Sequence, residues 1–389
     1  MWKIIALLGV AVLIVGVGFG LLEVRGAETI TASAVLLDPN MDYSGYPIAN
    51  DPNYPWSFPA DHAPHPDFLT EWWYYTGNLE NEQGERFGFQ FTVFRRAIVP
   101  TEPVADSEWR TRQYYSAHFT VSDVARERFF HDERLSRGAM GLAGATIDPS
   151  YRVWIEDWQV EGQNPDATEV RLNATMPNEN ITLDLTLNSL KAPVLQGDNG
   201  VSKKGGSPDN ASYYYSVTRQ QTQGTLTIGD VTHRVQGWTW MDREWSTSVL
   251  EDGAQGWDWF GLIFDDETEL MLGKIRYADG REDNSYGGRY VLPNGESIYL
   301  PLETFEIVPL DTWTSPHSGA VYPSGWQFTL DAETLGRDED LTFTVTPLLK
   351  DQELLTTPIY WEGAVRIDGD VSGYGYAELT GYADQLAGL

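Results

Sequence analysis

The chain has 389 residues, no cysteine, and 57 acidic residues against 26 basic ones, which gives a formal charge of −31. This length predicts two domains of roughly 150 to 180 residues each. The lack of cysteine excludes disulfides, thiolate zinc sites and a cysteine nucleophile. The negative charge argues against a nucleic-acid partner, because the phosphates would be repelled.

The N-terminus carries a targeting signal. An apolar run from Ile4 to Leu22 follows Lys3, and a run of about 20 such residues is long enough to span a bilayer. No small-residue cleavage motif follows directly, since Arg25 stands where a small residue is required. We expect residues 1–27 to be either an uncleaved membrane anchor or a cleaved signal peptide. The remainder would be exported, either anchored on the extracytoplasmic side or secreted or periplasmic.

The next segment, residues 28–66, is rich in proline and predicts a tether that becomes ordered near Trp56. After it, short aromatic and β-branched runs alternate with period two, as between Arg86 and Phe94, and glycine-containing turns separate them. Many short strands with dense turns predict an all-β fold. Two antiparallel barrels would bury the strand edges and leave interiors of ligand size.

The glycine-rich stretch 197–210 is the best sequence candidate for the boundary between these barrels. It predicts an N-terminal domain at 67–205 and a C-terminal domain at 206–389. A faint internal echo agrees with two similar halves, because Glu71-Trp72 and Glu244-Trp245 stand at the same distance before Phe87 and Phe260, respectively.

The strongest chemical feature is a pair of tryptophan-rich segments, Gly237-Trp-Thr-Trp-Met-Asp-Arg-Glu-Trp245 and Gly256-Trp-Asp-Trp-Phe260. In a strand, Trp238, Trp240, Asp242 and Glu244 would share one face, with Arg243 and Trp245 opposite. A carboxyl group desolvated against indole rings has a raised pKa and can act as a general acid near neutral pH.

The alternative for these carboxylates is a structural ion pair of Arg243 with Glu244 or Asp242. Asp258 ranks below Asp242 as an acid, because alternation turns it away from the flanking Trp257 and Trp259.

A second aromatic segment, Glu71-Trp-Trp-Tyr-Tyr-Thr-Gly77, places Trp73 and Tyr75 on the face of Glu71. As the alternative, the two faces of this segment could simply pack in the barrel interior and between the domains. His118 is a candidate proton-transfer group, with a structural histidine as the alternative.

Other site classes have weaker signals. The six histidines show no metal-ligand spacing, although His62 and His65 lie close together in the proline-rich segment, so we expect no metal. The sequence has no G-x-S-x-G elbow, Walker loop or dinucleotide fingerprint. Lys203 and Lys204 are interpreted as solvated loop charges and are not site candidates.

Six motifs of the sequence together resemble those of one protein family. The chain resembles the carotenoid 1,2-hydratase/AttH family in a series of motifs that run in order over about residues 67–382. They are Glu71-Trp-Trp-Tyr-Tyr-Thr-Gly, Tyr115-Ser-Ala-His-Phe, Ala211-Ser-Tyr-Tyr-Tyr-Ser, Trp240-Met-Asp-Arg-Glu-Trp, Gly256-Trp-Asp-Trp-Phe and Gly373-Tyr-Gly-Tyr-Ala-Glu-Leu-Thr-Gly-Tyr382. The resemblance implies two lipocalin-like barrels side by side.

It also implies a cofactor-free hydration of an alkene in an isoprenoid or other hydrophobic substrate. Asp242 would be the proton donor, while Glu244 or His118 would hold the water. Trp240 would stabilise the carbocation. The implied substrate-binding residues are Trp240, Trp245, Trp257, Trp73, Tyr75 and Tyr214. The Met-Asp-Arg-Glu core lies nearer the AttH branch than the hydratase branch of the family.

Two other functions fit the same features. A non-catalytic lipocalin-like carrier of a hydrophobic ligand would use the same aromatic cavity and N-terminal anchor. A secreted hydrolase is the third possibility.

Overall fold

The described chain folds almost entirely into antiparallel β-strands, which confirms the predicted fold class. The structure is a computed structural model that describes residues 45–101, 107–248, 250–251, 253–281 and 286–383. These residues all belong to one compact unit, residues 40–389. The predicted leader and residues 28–44 of the predicted tether lie outside the described residues. Within the described ranges, no helix is both long enough and apolar enough to cross a membrane.

The first sheet has thirteen strands within the described residues. They are β1 (Thr70–Asn81), β2 (Arg86–Ala97), β3 (Gln113–Asp123), β4 (Arg128–Arg137), β5 (Ala143–Thr146), β6 (Arg152–Ile155), β7 (Trp158–Gly162), β8 (Glu169–Met176), β9 (Ile181–Ser189), β10 (Val194–Leu195), β11 (Val201–Lys203), β12 (Ala211–Ile228) and β13 (Val231–Ser248). Their order is β4-β3-β2-β1-β13-β12-β9-β8-β7-β6-β5, with β10 and β11 beside β12. Contacts of β3 with β5 and of β4 with β6 bring the two ends together into a nearly closed barrel.

The second sheet has ten described strands. They are β14 (Ala254–Phe264), β15 (Glu269–Tyr277), β16 (Gly288–Val291), β17 (Ser297–Leu300), β18 (Phe305–Pro309), β21 (Trp326–Leu330), β22 (Leu341–Pro347), β23 (Glu353–Leu354), β24 (Tyr360–Gly369) and β25 (Gly373–Leu379). Their order is β17-β16-β15-β14-β25-β24-β22-β21-β18, and β23 pairs with β24. A separate hairpin consists of β19 (Thr312–Thr314) and β20 (Val321–Pro323).

Helical segments in the described residues are short. One α-helix, α1 (Ala332–Leu335), is capped by the Asp331 side chain, which accepts a hydrogen bond from the Thr334 backbone N–H. The 3₁₀ turns are Ala60–His62, Val124–Arg126, Pro177–Glu179 and Leu302–Thr304.

The two sheets divide between β13 and β14, not at the predicted boundary of 205/206. The strands β12 and β13 remain with the first barrel, because β9 pairs along its whole length with β12 and β1 pairs along its whole length with β13. The glycine-rich stretch 197–210 is instead a local excursion, in which β11 pairs back onto β12.

Each barrel has its own apolar core, formed by the inward faces of its strands. The predicted alternation in β2 is present, since Phe87, Phe89, Phe91 and Val93 are all buried in the first core. The described end of the tether packs on this core through Tyr54 and Trp56. The Trp56 indole also donates to the Asn199 carbonyl oxygen at 2.9 Å.

The barrels meet along β1, β2 and β12 of the first and β25, β24 and β14 of the second. The Asn78 amide in β1 donates to the Gly375 carbonyl oxygen in β25 at 2.8 Å. Besides the two barrel cores, a third apolar cluster lies between the barrels, and it includes Tyr74, Tyr214, Trp240 and Trp259. This seam holds the candidate site.

Candidate functional site

The site is created by the antiparallel pairing of β1 with β13. In this register Trp72 lies opposite Glu244 and Tyr74 lies opposite Asp242. Because successive side chains of a strand point to opposite faces, these four residues share the face that looks toward the second barrel. The strand therefore presents Asp242 and Glu244 on one aromatic face, as the sequence pattern predicts.

A cavity of about 110 Å³ lies between the two barrels at this face. Side chains from both barrels line it. They are Thr70, Trp72, Tyr74, Phe94, Lys204, Tyr214, Asp242, Glu244, Leu250, Trp257, Trp259, Ile275, Tyr286, Tyr360 and Glu378. The walls are mainly aromatic, and three carboxyl groups and one ammonium group interrupt them.

Asp242 is as deeply buried as Glu244, with 4% of its surface exposed. Its Oδ1 accepts hydrogen bonds from the Ser216 hydroxyl at 2.5 Å and the Trp240 indole at 2.7 Å, and its Oδ2 accepts one from the Tyr214 hydroxyl at 2.7 Å. Burial raises the pKa of Asp242 to about 7, although the three hydrogen bonds oppose that shift. The group can therefore exchange a proton near neutral pH.

Glu244 has a cationic partner, and that partner is Lys204. The Lys204 Nζ lies 3.1 Å from Glu244 Oε1, and the Ser212 hydroxyl donates to the same oxygen. The Lys204 ammonium group also lies over the Tyr286 ring at 4.2 Å. The interpretation of Lys204 as a solvated loop charge is wrong, because the chain turns it inward to neutralise Glu244, whereas Lys203 is exposed.

Arg243 does not pair with Asp242 or Glu244, so the predicted ion pair is wrong. The strand turns Arg243 to the opposite face, where its guanidinium binds Glu71, which also binds Arg95. Burial raises the Glu71 pKa, but Arg95 and Arg243 outweigh it and hold the pKa well below its usual range. Glu71 is therefore a structural carboxylate in the first barrel.

Sequence reasoning missed two carboxyl groups from the second barrel. Glu378 in β25 lines the cavity, and burial raises its pKa to about 8. Glu362 in β24 lies directly opposite Glu378 in the strand pairing and is fully buried. Burial and the neighbouring Glu378 raise the pKa of Glu362 well above its usual range. Glu378 belongs to the Gly373–Tyr382 motif, which is the signal that could have identified it.

Three of the predicted substrate-binding residues belong to this site. Tyr214 and Trp257 line the cavity, and Trp240 lies directly behind Asp242 as its hydrogen-bond donor. Trp238 shares the strand face, but it lies outside the lining and packs on Arg219, whose guanidinium is 4.9 Å from the ring.

The other three, Trp73, Tyr75 and Trp245, lie in the core of the first barrel and not at the cavity. Strand alternation makes their neighbours Trp72 and Tyr74 the cavity residues instead. Trp245 stacks on the His65 ring with a centroid separation of 3.7 Å, so it serves the packing of the tether.

His118 lies one residue behind the cavity wall. Its Nδ1 is 2.8 Å from the hydroxyl oxygen of Tyr360, which lines the cavity, and its Nε2 is 3.4 Å from Glu133. Asp258 points away from the cavity and binds Arg276 at 2.9 Å. Among the residues that the structure describes, no group of three or more side chains could hold a metal ion.

Comparison with known proteins identifies the family. The AttH-like family model matches residues 49–382. The chain is 28% identical to kievitone hydratase of Fusarium solani subsp. phaseoli over 282 residues, which is 68% of this chain and 73% of that protein. It is also 28% identical to dehydratase asqC of Emericella nidulans over 173 residues, 39% of this chain and 46% of that protein.

Solved structures agree with this assignment. A crystal structure assigned to AttH, from Nitrosomonas europaea, has a TM-score of 0.75 and 33% identity, and the match covers 86% of this chain and 99% of that one. The crystal structure of kievitone hydratase from Nectria haematococca has a TM-score of 0.62 at 16% identity, and the match covers 87% of this chain and 97% of that one. This likeness supports the fold. The resemblance seen in the sequence is confirmed, and the chain belongs to the AttH-like family.

Proposed function

We propose that this protein is a cofactor-free hydratase that adds water to a carbon–carbon double bond of a hydrophobic substrate in the cavity between its barrels. The observation that carries the proposal is the Asp242 carboxyl group in the aromatic cavity, which has no cationic partner among the described residues. Burial raises its pKa from the usual range of an aspartic acid to about 7. The similarity to kievitone hydratase supports the same reaction class.

The chemistry follows from the groups that face the cavity. A protonated carboxyl group transfers its proton to one alkene carbon, which leaves a carbocation on the other. Trp72, Trp257 and Trp259 line the same space, and the faces of indole rings attract cations. Water then forms the new C–O bond and gives its surplus proton to a carboxylate. The addition changes no net oxidation state, so the reaction itself requires no redox cofactor.

The enclosed volume bears on the substrate class. Pockets that take a whole drug-sized ligand have volumes of roughly 300 to 1,000 Å³, whereas this cavity has about 110 Å³. We propose that only the alkene-bearing end of a longer substrate, such as an acyclic isoprenoid, enters it. The predicted membrane anchor at residues 1–27 would place this site beside the bilayer in which such substrates dissolve, and a peptide map of the mature N-terminus tests that placement.

The activity test uses purified protein, acyclic isoprenoids that include carotenoids, and water labelled with ¹⁸O. We expect mass spectrometry to show incorporation of one labelled water per product molecule. Asp242→Asn should lower the rate by about 10²- to 10⁴-fold, the usual contribution of general acid–base catalysis. Asp258→Asn is the matched control, since Asp258 lies on the same strand as the cavity residues Trp257 and Trp259 but points away from the cavity, and it should retain activity.

Two outcomes would overturn the proposal. If the substrate co-purifies unchanged with both the wild type and Asp242→Asn, the protein is a carrier. If an ester probe is cleaved while no alkene is hydrated, it is a hydrolase.

A further inference from the structure

Two carboxyl groups from different barrels face the same cavity, and their oxygens have different surroundings. Asp242 accepts three hydrogen bonds, from Ser216, Tyr214 and Trp240. Hydrogen bonds that a carboxyl group accepts favour its ionised form. A carboxylate offers about four lone-pair sites, so an ionised Asp242 has room for one more donor, such as a water molecule.

Glu378 has fewer donors. Among the described residues, the Trp257 side chain is the one hydrogen-bond donor that lowers the pKa of Glu378. The side chain is half-buried, and because it lines the cavity its exposed part faces the space that a substrate would occupy. Hydrogen bonds therefore stabilise a negative charge on Glu378 less than they do on Asp242.

The strand opposite Glu378 carries a second buried carboxyl group. Glu362 is its direct cross-strand partner and is fully buried. The Tyr74 hydroxyl donates to Glu362 Oε1 at 2.5 Å, while Oε2 has no hydrogen-bond partner among the described residues. Two adjacent carboxyl groups in an apolar environment cannot both be ionised without a large free-energy cost.

We infer that Glu378 is the proton donor of the hydration reaction and that Asp242, as a carboxylate, is the base that holds the attacking water. This inference rests on the proposed hydratase function and reverses the role that the family resemblance implies for Asp242. The two groups come from opposite barrels, so a substrate bound in the seam lies between acid and base.

The proton balance is complete without another reactant. The Glu378 O–H bond breaks as a C–H bond forms on the alkene. Water bound to Asp242 attacks the carbocation and gives one proton to the Asp242 carboxylate. One proton then returns from Asp242 to Glu378, directly or through cavity water, which restores the resting state.

The pH dependence follows from the order in which the groups lose their protons. Burial raises the pKa of Asp242 to about 7 and that of Glu378 to about 8. The titratable and charged groups around Glu378 are Glu362, Asp242, Glu244, Lys204, Tyr74, Tyr286 and Tyr360. Activity should be highest at a pH where Glu378 is protonated and Asp242 is ionised.

The test reads the protonation states without substrate. Infrared titration of the wild-type protein, labelled with ¹³C in the carboxyl groups of either aspartate or glutamate, separates the two residue types. We expect a buried aspartic-acid band to disappear at lower pH than a buried glutamic-acid band. Glu378→Gln should remove the glutamic-acid band that titrates, whereas Glu362→Gln should remove a band that persists to higher pH.

The reverse order in the wild type, with the aspartic-acid band persisting to higher pH, would overturn the inference even if every variant failed to fold. A failure of the hydratase proposal is visible separately, as absence of ¹⁸O incorporation with the expected titration order intact. If the protein is active, its pH–rate profile should be bell-shaped, and a maximum below the pKa of Asp242 would contradict the assigned roles.

Discussion

Glu71 and Asp242 are both buried carboxyl groups, and they lie on neighbouring strands of one ladder, yet their pKa values move in opposite directions. Glu71 is fully buried and binds two arginines, and its pKa is lowered. Asp242 is 4% exposed, accepts only neutral donors, and its pKa is raised to about 7. Burial alone therefore does not decide the ionisation of a carboxyl group. Ionisation depends on whether a cationic side chain lies beside the carboxyl group, and strand alternation determines which side chains can lie there.

The largest effect that we expect is a loss of stability when the carboxylate of Glu71 is removed. Glu71→Gln leaves Arg95 and Arg243 buried without their counter-charge, which should lower the free energy of unfolding by about 3–5 kcal/mol. Chemical denaturation measures the loss. Glu80→Gln is the control, because its ion pair with Arg86 is partly exposed and should contribute about 1 kcal/mol or less. Equal losses in the two variants would show that the Glu71 cluster has no special structural role.

A smaller loss is expected on the cavity face for Lys204→Met. Glu244 then remains buried with only the Ser212 hydroxyl as a side-chain donor, which should lower the free energy of unfolding by about 2–3 kcal/mol. Lys203→Met is the matched control, since that neighbour is exposed and should change stability little. If both variants unfold at the same denaturant concentration, the Lys204–Glu244 pair does not stabilise the fold.

Asp242→Asn should change the free energy of unfolding in the opposite direction, toward higher stability. The folded-state pKa of about 7 lies above the unfolded value of about 3.9, so the wild type binds more protons when folded and loses stability as the pH rises from about 4 to about 7. Asparagine carries no charge and escapes this loss. We expect the variant to gain on the order of a few kcal/mol relative to the wild type as the pH rises from 4 to 8, because each pKa unit corresponds to about 1.4 kcal/mol. Thermal unfolding across that range measures the difference, and a pH-independent difference would contradict a raised pKa.

The smallest effect is expected for Ser216→Ala, which removes one of the three donors to Asp242. The pKa of Asp242 should rise further, because its ionised form loses a hydrogen bond, and the stability loss should be about 1 kcal/mol. Carboxyl NMR titration with labelled aspartate measures the shift. Ser122→Ala removes a buried hydroxyl that donates to Gln352 at 2.7 Å and should leave the Asp242 titration unchanged.

Much of the fold was predictable from sequence because strand alternation is a local property. The period-two runs predicted strands with one buried face, as in β2, and the ordered motifs predicted the family. Alternation also placed Asp242 and Glu244 on one face and Arg243 on the other. The boundary at 205/206 failed because a glycine-rich stretch marks a turn equally well inside a barrel and between two barrels.

The tertiary structure was required to show which face of each strand looks toward the cavity. Sequence alternation separates Trp72 and Tyr74 from Trp73 and Tyr75, but it does not say which pair meets the second barrel. Lys204 was missed because a lysine in a glycine-rich loop shows no sequence sign that the loop folds inward onto Glu244. Glu378 and Glu362 were missed because they lie on two strands of the second barrel, more than one hundred residues from Asp242 in the sequence. The catalytic and binding roles assigned to these residues stay predictions.

By itself, the sequence determined the class of fold, the family and the pairing of aromatic and carboxylate residues on one strand face, because local alternation and motif order encode all three. Only the tertiary structure decided which carboxyl groups meet in one cavity and which of them has a cation beside it. These are properties of long-range strand pairing, and the free energy of a buried charge depends on the groups within a few ångströms of it.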